Sequence, residues 1–211
     1  MTDSPAAPAL GSQTIGEFLT SLGAKTPAPG GGAVASVTAA LAASIGSMVV
    51  RYSEGKKKLA EHADLHARAI EELGRAACRS LELAEEYARA YTALNALWRL
   101  DESDPERIEH WDAAVRDAIA APQSVLESCL AMLALLRELA GRTNRFLDSD
   151  LAIAAILAEA GVRAAAWNVR INLPSVRDAD EVDRLNEEVS SGLDRAAMLC
   201  REIEAACSPA G

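Results

Sequence analysis

Apolar residues recur three and four positions apart over most of this chain, which is the spacing of one helix face. Thr14-Ile15-Gly16-Glu17 has the spacing of a capping box and predicts a short helix to about Leu22. Thr26-Pro27-Ala28-Pro29-Gly30-Gly31-Gly32 breaks the pattern. A run of small and apolar residues then predicts a helix to about Tyr52. From Lys56 to about Leu100 no proline intervenes, and Leu65, Ala69, Leu73, Ala76, Leu83, Tyr87, Ala90, Leu94 and Leu97 mark one long helix. Ser103-Asp104-Pro105-Glu106 is a helix start, with a cap, a first-turn proline and an acidic partner. Pro122 is expected to begin or kink a further helix that ends near Gly141. Ser149-Asp150 is expected to cap another, ending before Pro174, and Asp178 and Glu181 open a last amphipathic helix to about Ala206. No segment reads as a strand. The expected fold is all-α, a six- to seven-helix bundle with one long central helix. Residues 14–206 form its single domain, with 1–13 and 207–211 as flexible tails.

Composition narrows this. Roughly one residue in five of the 211 is alanine and only 4% are aromatic, which disfavours a sandwich or barrel. With 50% hydrophobic residues the chain has material for a core. The formal net charge of −10 argues against nucleic acid as a partner. Ala33 to Val50 is uncharged over 18 residues, but it is short for a membrane span and rich in Ala, Ser and Gly, so a helix buried in a bundle is expected. Cys78, Cys129, Cys200 and Cys207 form no Cys-x-x-Cys pair. The first residues carry no signal-peptide pattern, so a cytoplasmic location is expected.

Three segments carry chemistry. Pro29, Gly30, Gly31 and Gly32 run into a helix start, where free N–H groups favour an anion and absent Cβ atoms permit close approach. Lys56 and Lys57 open a triple lysine in an acidic chain and suit a carboxylate or phosphate. Ser149-Asp150 is followed by Asn168 and Asn172, which are i, i+4 neighbours able to present amides together. Asp150 and Asn168 are 18 residues apart, about 27 Å along an unbroken helix, too far to meet within one chain. His62 and His66 share a helix face, but exposed helix residues are expected there rather than a metal pair, and no metal site is predicted.

The order of these motifs resembles the cyclodeaminase/cyclohydrolase family, which includes the C-terminal domain of formiminotransferase-cyclodeaminase and stand-alone methenyltetrahydrofolate cyclohydrolases. The resemblance rests on Thr26 to Gly32, the small-residue helix to Met48, Gly55-Lys56-Lys57-Lys58, Ser149-Asp150-Leu151-Ala152-Ile153-Ala154, and Gly161 through Asn172. It implies a helical homodimer acting on the amidine carbon of methenyl- or formiminotetrahydrofolate, as a hydrolase or a lyase. No cofactor is implied beyond the tetrahydrofolate substrate. The lysines and the glycine run would hold the anionic folate. Asp150, Ser149, Asn168 and Asn172 would serve its amidine-bearing end.

The chain departs from that pattern in one place that bears on chemistry. Where the family has an acidic pair, Glu85-Glu86-Tyr87-Ala88-Arg89-Ala90-Tyr91 puts Tyr87 at the second acidic position. A phenol, with an ordinary pKa near ~10, cannot act as a carboxylate base at neutral pH. Glu86 is the expected substitute, although it points about 100° around the helix. The catalytic candidates are therefore Asp150, Glu86 and Tyr87. Two alternatives stay open: an enzyme on the same scaffold for a non-folate imine or amidine, and a folate-binding protein without catalysis.

Overall fold

The computed structural model describes residues 9–208. Among these it contains six α-helices, four short 3-10 turns and no strand. They are α1 (Ile15–Leu22), α2 (Gly31–Arg51), α3 (Ala63–Trp98), α4 (Pro105–Leu139), α5 (Asp148–Arg170) and α6 (Ala179–Cys207). Thr14 caps α1 with the full capping box: its hydroxyl accepts from Glu17 N–H, and the Glu17 carboxylate receives Thr14 N–H. Asp104 and Asp178 cap α4 and α6 more simply, their carboxylates accepting from Glu106 and Asp180 N–H. Gly141, at φ +77°, takes the left-handed conformation that ends α4.

The bundle has a second long helix beside α3, because Pro122 does not break α4. A proline leaves the carbonyl four residues back without its helical donor. Here that carbonyl is Ala118 O, and the buried Asn172 side chain donates to it from beyond the end of α5, at 3.4 Å. The same amide donates to Asn168 O at 2.9 Å. Asn172, 1% exposed, thus ties α5 to α4. The opening of the long helical stretch is also altered, since Lys57–His62 form a 3-10 turn before α3 begins. Ser149 and Asp150 lie inside the first turn of α5, whose cap position is Leu147.

Helix α2 packs between α3 and α5, α4 closes the other side of the bundle, and α6 lies against α4 and α5. The alanines and Gly46 of α2 allow close approach: a Cβ on Gly46 would fall 3.1 Å from Leu136 Cδ2. The core is formed by Leu73, Leu83, Leu133, Leu136, Leu151 and Ile203 among others. By length and composition α2, α4 and the stretch Arg145–Ser175 could each cross a membrane; in the bundle, more than half of the most apolar window of α2 is buried against its neighbours.

Residues 9–13, expected as part of a flexible tail, pack on α3. Leu10 begins a 3-10 turn, its N–H donates to Glu85 Oε1 at 3.2 Å, and Gly11 lies close to Leu81. The rest of that expected tail, and residues 209–211, lie outside the described residues.

Candidate functional site

The direction of the helices decides which motifs meet. Gly31 lies beside Asn168 and Gly161 beside Ala39, so α5 runs antiparallel to α2. Gly32 meets Tyr87 and Gly46 meets Leu73, so α3 is antiparallel to α2 as well. The bundle therefore has two functional ends. One holds Pro29, Gly30, Gly31, Gly32, Tyr87 and Asn168. The other holds Lys56, Lys57, Ser149 and Asp150, and is stitched by Asn144 N–H donating to Ser53 Oγ at 2.9 Å and by His66 Nε2 donating to Arg142 O at 2.8 Å. The 21 residues of α2 put the two ends about 30 Å apart. Grouping the lysines with the glycine run in one site of one chain is thus not what the packing does.

At the glycine end lies a cleft of about 610 Å³, walled by Pro27, Pro29, Gly30, Gly31, Ala33, Ala84, Glu85, Tyr87, Ala88, Arg89, Tyr91, Ile171 and the Ala9–Leu10 segment. That size suits a drug-sized organic ligand. The Ala28–Pro29 peptide is cis. Gly30 stands at the cap position of α2 with no side chain bonded to the first N–H groups, which leaves them for a ligand. Of the two glycines that open α2, Gly32 is required by contact and Gly31 is not. A Cβ on Gly31 would fall 3.4 Å from Asn168 Oδ1, an ordinary contact, whereas one on Gly32 would fall 2.1 Å from Tyr87 Cδ1, a severe clash. The Tyr87 ring thus lies against the bare backbone of the first turn of α2. Tyr91, one turn on, stacks with it at 6.0 Å between centroids and 19° between planes.

The groups in this cleft are not quite the ones the sequence pattern selects. Burial, and secondarily Tyr91, push the Tyr87 phenol above its ordinary pKa, so it is a neutral hydrogen-bonding group. Glu86 does not face the cleft. Arg79 grips both its oxygens, at 2.6 and 3.0 Å, and this pair holds the Glu86 carboxyl below the usual range. The carboxylate on the cleft wall is Glu85. Asn172 is committed to Ala118 O and Asn168 O and does not line the cleft. His66, expected at the surface, is 2% exposed, and its Nε2 must carry the proton because a carbonyl can only accept. Sequence reasoning passed over Glu85, Tyr91 and Ile171. A signal was present: Ala84 and Ala88, paired one turn apart beside Tyr87 and Tyr91, mark a helix face with a floor and an aromatic wall.

At the lysine end, Lys56 and Lys57 are exposed and Asp150 is half-buried. Between the ends runs an apolar surface. It is made of Val34, Leu41 (53% exposed) and the half-buried Ile45 on α2, Ile153, Ile156 and Trp167 (71%) on α5, and Ile171 (68%) at the cap position that ends α5.

Comparison with known proteins gives four findings. The family model described as formiminotransferase-cyclodeaminase matches residues 14–191. The formimidoyltransferase-cyclodeaminase of Sus scrofa is 33% identical over 197 residues, 89% of this chain but only 36% of that protein, so the chain spans about a third of that relative's length. The methenyltetrahydrofolate cyclohydrolase of Methylorubrum extorquens is 30% identical over 199 residues, 92% of this chain and 95% of that protein. A crystal structure of formiminotetrahydrofolate cyclodeaminase from Thermotoga maritima shares the fold, with a TM-score of 0.85 over 93% of this chain and 96% of that one at 24% identity.

Proposed function

The chain belongs to the formiminotransferase-cyclodeaminase family, and from that premise we propose that it is a one-carbon folate enzyme acting on the amidine carbon of methenyl- or formiminotetrahydrofolate. The observation that carries this reading is the cleft at the start of α2. A planar heterocycle fits against stacked Tyr87 and Tyr91, with the uncapped N–H groups at the start of α2 beside it. The near-complete overlap with a cyclohydrolase supports the substrate class.

The working unit is a homodimer. One protomer holds only half of the implied groups at each end, and the α2–α5 surface exposes apolar residues along the whole distance between the ends. Two copies joined face to face, by a two-fold axis lying across these helices, bury that surface. The same operation sets the Lys56, Lys57 and Asp150 end of one protomer beside the Gly30–Tyr87 end of the other. The complete site then has an anion-holding side from one subunit and an aromatic side from its partner. Four free cysteines fit a cytoplasmic location.

The test is an assay of the purified protein on both folates, following the near-ultraviolet absorbance of the methenyl ring, with light scattering in parallel. Consumption of methenyltetrahydrofolate, or its formation from the formimino compound, by a species near twice 22.2 kDa is the expected result. Absence of turnover and of folate binding overturns the folate reading, and a mass of one chain at micromolar concentration overturns the dimer.

Lys57→Ala is expected to weaken binding of the polyanionic folate by about 1–2 kcal/mol, with an effect that shrinks as salt rises. Because Lys57 is exposed, Tm should hardly move. A lowered Tm at unchanged affinity would make the lysine structural.

A further inference from the structure

With Tyr87 neutral and Glu86 held by Arg79, the cleft keeps one carboxylate among the described residues that line it, Glu85. At 100° per residue, Ala84 and Ala88 form a narrow floor on α3, with Tyr87 and Tyr91 on one flank and Glu85 on the other. Because those two floor residues are alanines, nothing bulky separates the carboxylate from the rings. Glu85 is also positioned. Its Oε1 accepts the Leu10 N–H at 3.2 Å, while the nearest cation to Oε2 is the exposed Arg89 guanidinium, 4.0 Å away. One oxygen is fixed by backbone, and the other holds only a long, exposed ion pair with Arg89 that a ligand can displace.

We propose that Glu85, rather than Glu86, is the catalytic carboxylate that this chain's own cleft supplies, facing the cationic one-carbon centre across from the tyrosines and accepting the proton of the attacking water. The proposal rests on the folate reading above and assigns to it a residue that the sequence pattern did not select. In the hydrolytic direction the water oxygen bonds to the amidinium carbon and one water proton passes to Glu85, giving a neutral adduct. The C–N bond then breaks. Its electron pair and the proton from Glu85 go to the departing nitrogen, and the remaining hydroxyl proton leaves to solvent as the formyl carbonyl forms. Nothing is oxidised, and no reactant besides water is consumed. In the dimer proposed above, the partner's Asp150 would add a second negative charge facing the same cationic centre.

Glu85→Gln isolates the charge, because the amide oxygen still accepts the Leu10 N–H and the Ala9–Gln13 segment stays in place. Its kcat on methenyltetrahydrofolate is expected to fall about 10²-fold with Tm unchanged, whereas Glu86→Gln, which only weakens the pair with Arg79, changes kcat by less than about threefold. Glu85→Ala should regain part of the lost rate in formate, saturably, which a structural role cannot reproduce. Leu10→Pro removes the donor at a position where a turn tolerates proline, and should lower kcat several-fold while leaving KM within about twofold. Near-normal turnover by Glu85→Gln, or a loss in Glu85→Ala that formate does not relieve, overturns the assignment. An inactive wild type would instead overturn the folate reading itself, so the two failures are told apart by the unmutated protein.

Discussion

Asp150→Asn is expected to lower folate turnover about 10²-fold or more and to leave the fold intact. The residue sits in the first turn of α5, half-buried, and its side chain neither caps the helix nor belongs to the core. Loss of its charge there costs the helix at most a few tenths to about 1 kcal/mol through the macrodipole. The cost to catalysis is larger, because a carboxylate facing a cationic amidinium acts only where that charge stands. Within one chain Asp150 is about 27 Å from Asn168, so under the proposed dimer it would reach the cleft from the partner subunit. This makes a sharper experiment possible. Asn168→Leu damages the cleft end, and Asp150→Asn the lysine end. Mixing and re-equilibrating the two inactive variants places both defects in one site of each heterodimer and leaves the other site intact. About a quarter of wild-type activity should return. A site built within one protomer would return none, and unchanged rates in Asp150→Asn alone would remove it from the catalytic set.

Gly32→Ala should have the largest effect on stability of any glycine substitution in the cleft, about 1–3 kcal/mol, equivalent to a Tm lower by roughly 2–12 °C. The added methyl would fall within 2.1–2.8 Å of Tyr87 Cδ1, Cε1 and Cγ. Contact with Cγ, close to the α3 backbone, means a small ring rotation cannot relieve the clash, so the ring must leave its place against α2. Turnover should fall with it, since Tyr87 forms the aromatic wall. A double-mutant cycle separates this contact from any general intolerance. With Tyr87→Ala the obstruction is gone, and Gly32→Ala in that background should cost almost nothing or gain up to about 1 kcal/mol from helix propensity. Equal costs in both backgrounds would show that the ring contact is not what demands glycine.

What the sequence by itself determined is everything that depends on a few neighbouring residues. The caps at Thr14, Asp104 and Asp178, the stop at Gly141 and the 3.6-residue recurrence of apolar positions are local, and each sets a helix or its end through backbone hydrogen bonds close at hand. The all-helical architecture follows from them. The order of the glycine run, the lysines, Ser149-Asp150 and the asparagines carried the family in the same way. Tertiary structure decided the rest. Pro122 reads as a helix break until Asn172, 50 positions later, supplies the donor that Ala118 O lacks. Glu86 and Glu85 are adjacent letters, yet 100° of helix rotation turns one to Arg79 and the other to the cleft, and only the packing of α2 against α3 says which face is which. The glycine run and the lysines are 24 residues apart in sequence, but a straight helix between them holds them about 30 Å apart in one chain. The rigid rise of α2 cannot be folded away, so in the proposed dimer a second subunit is what would bring them together.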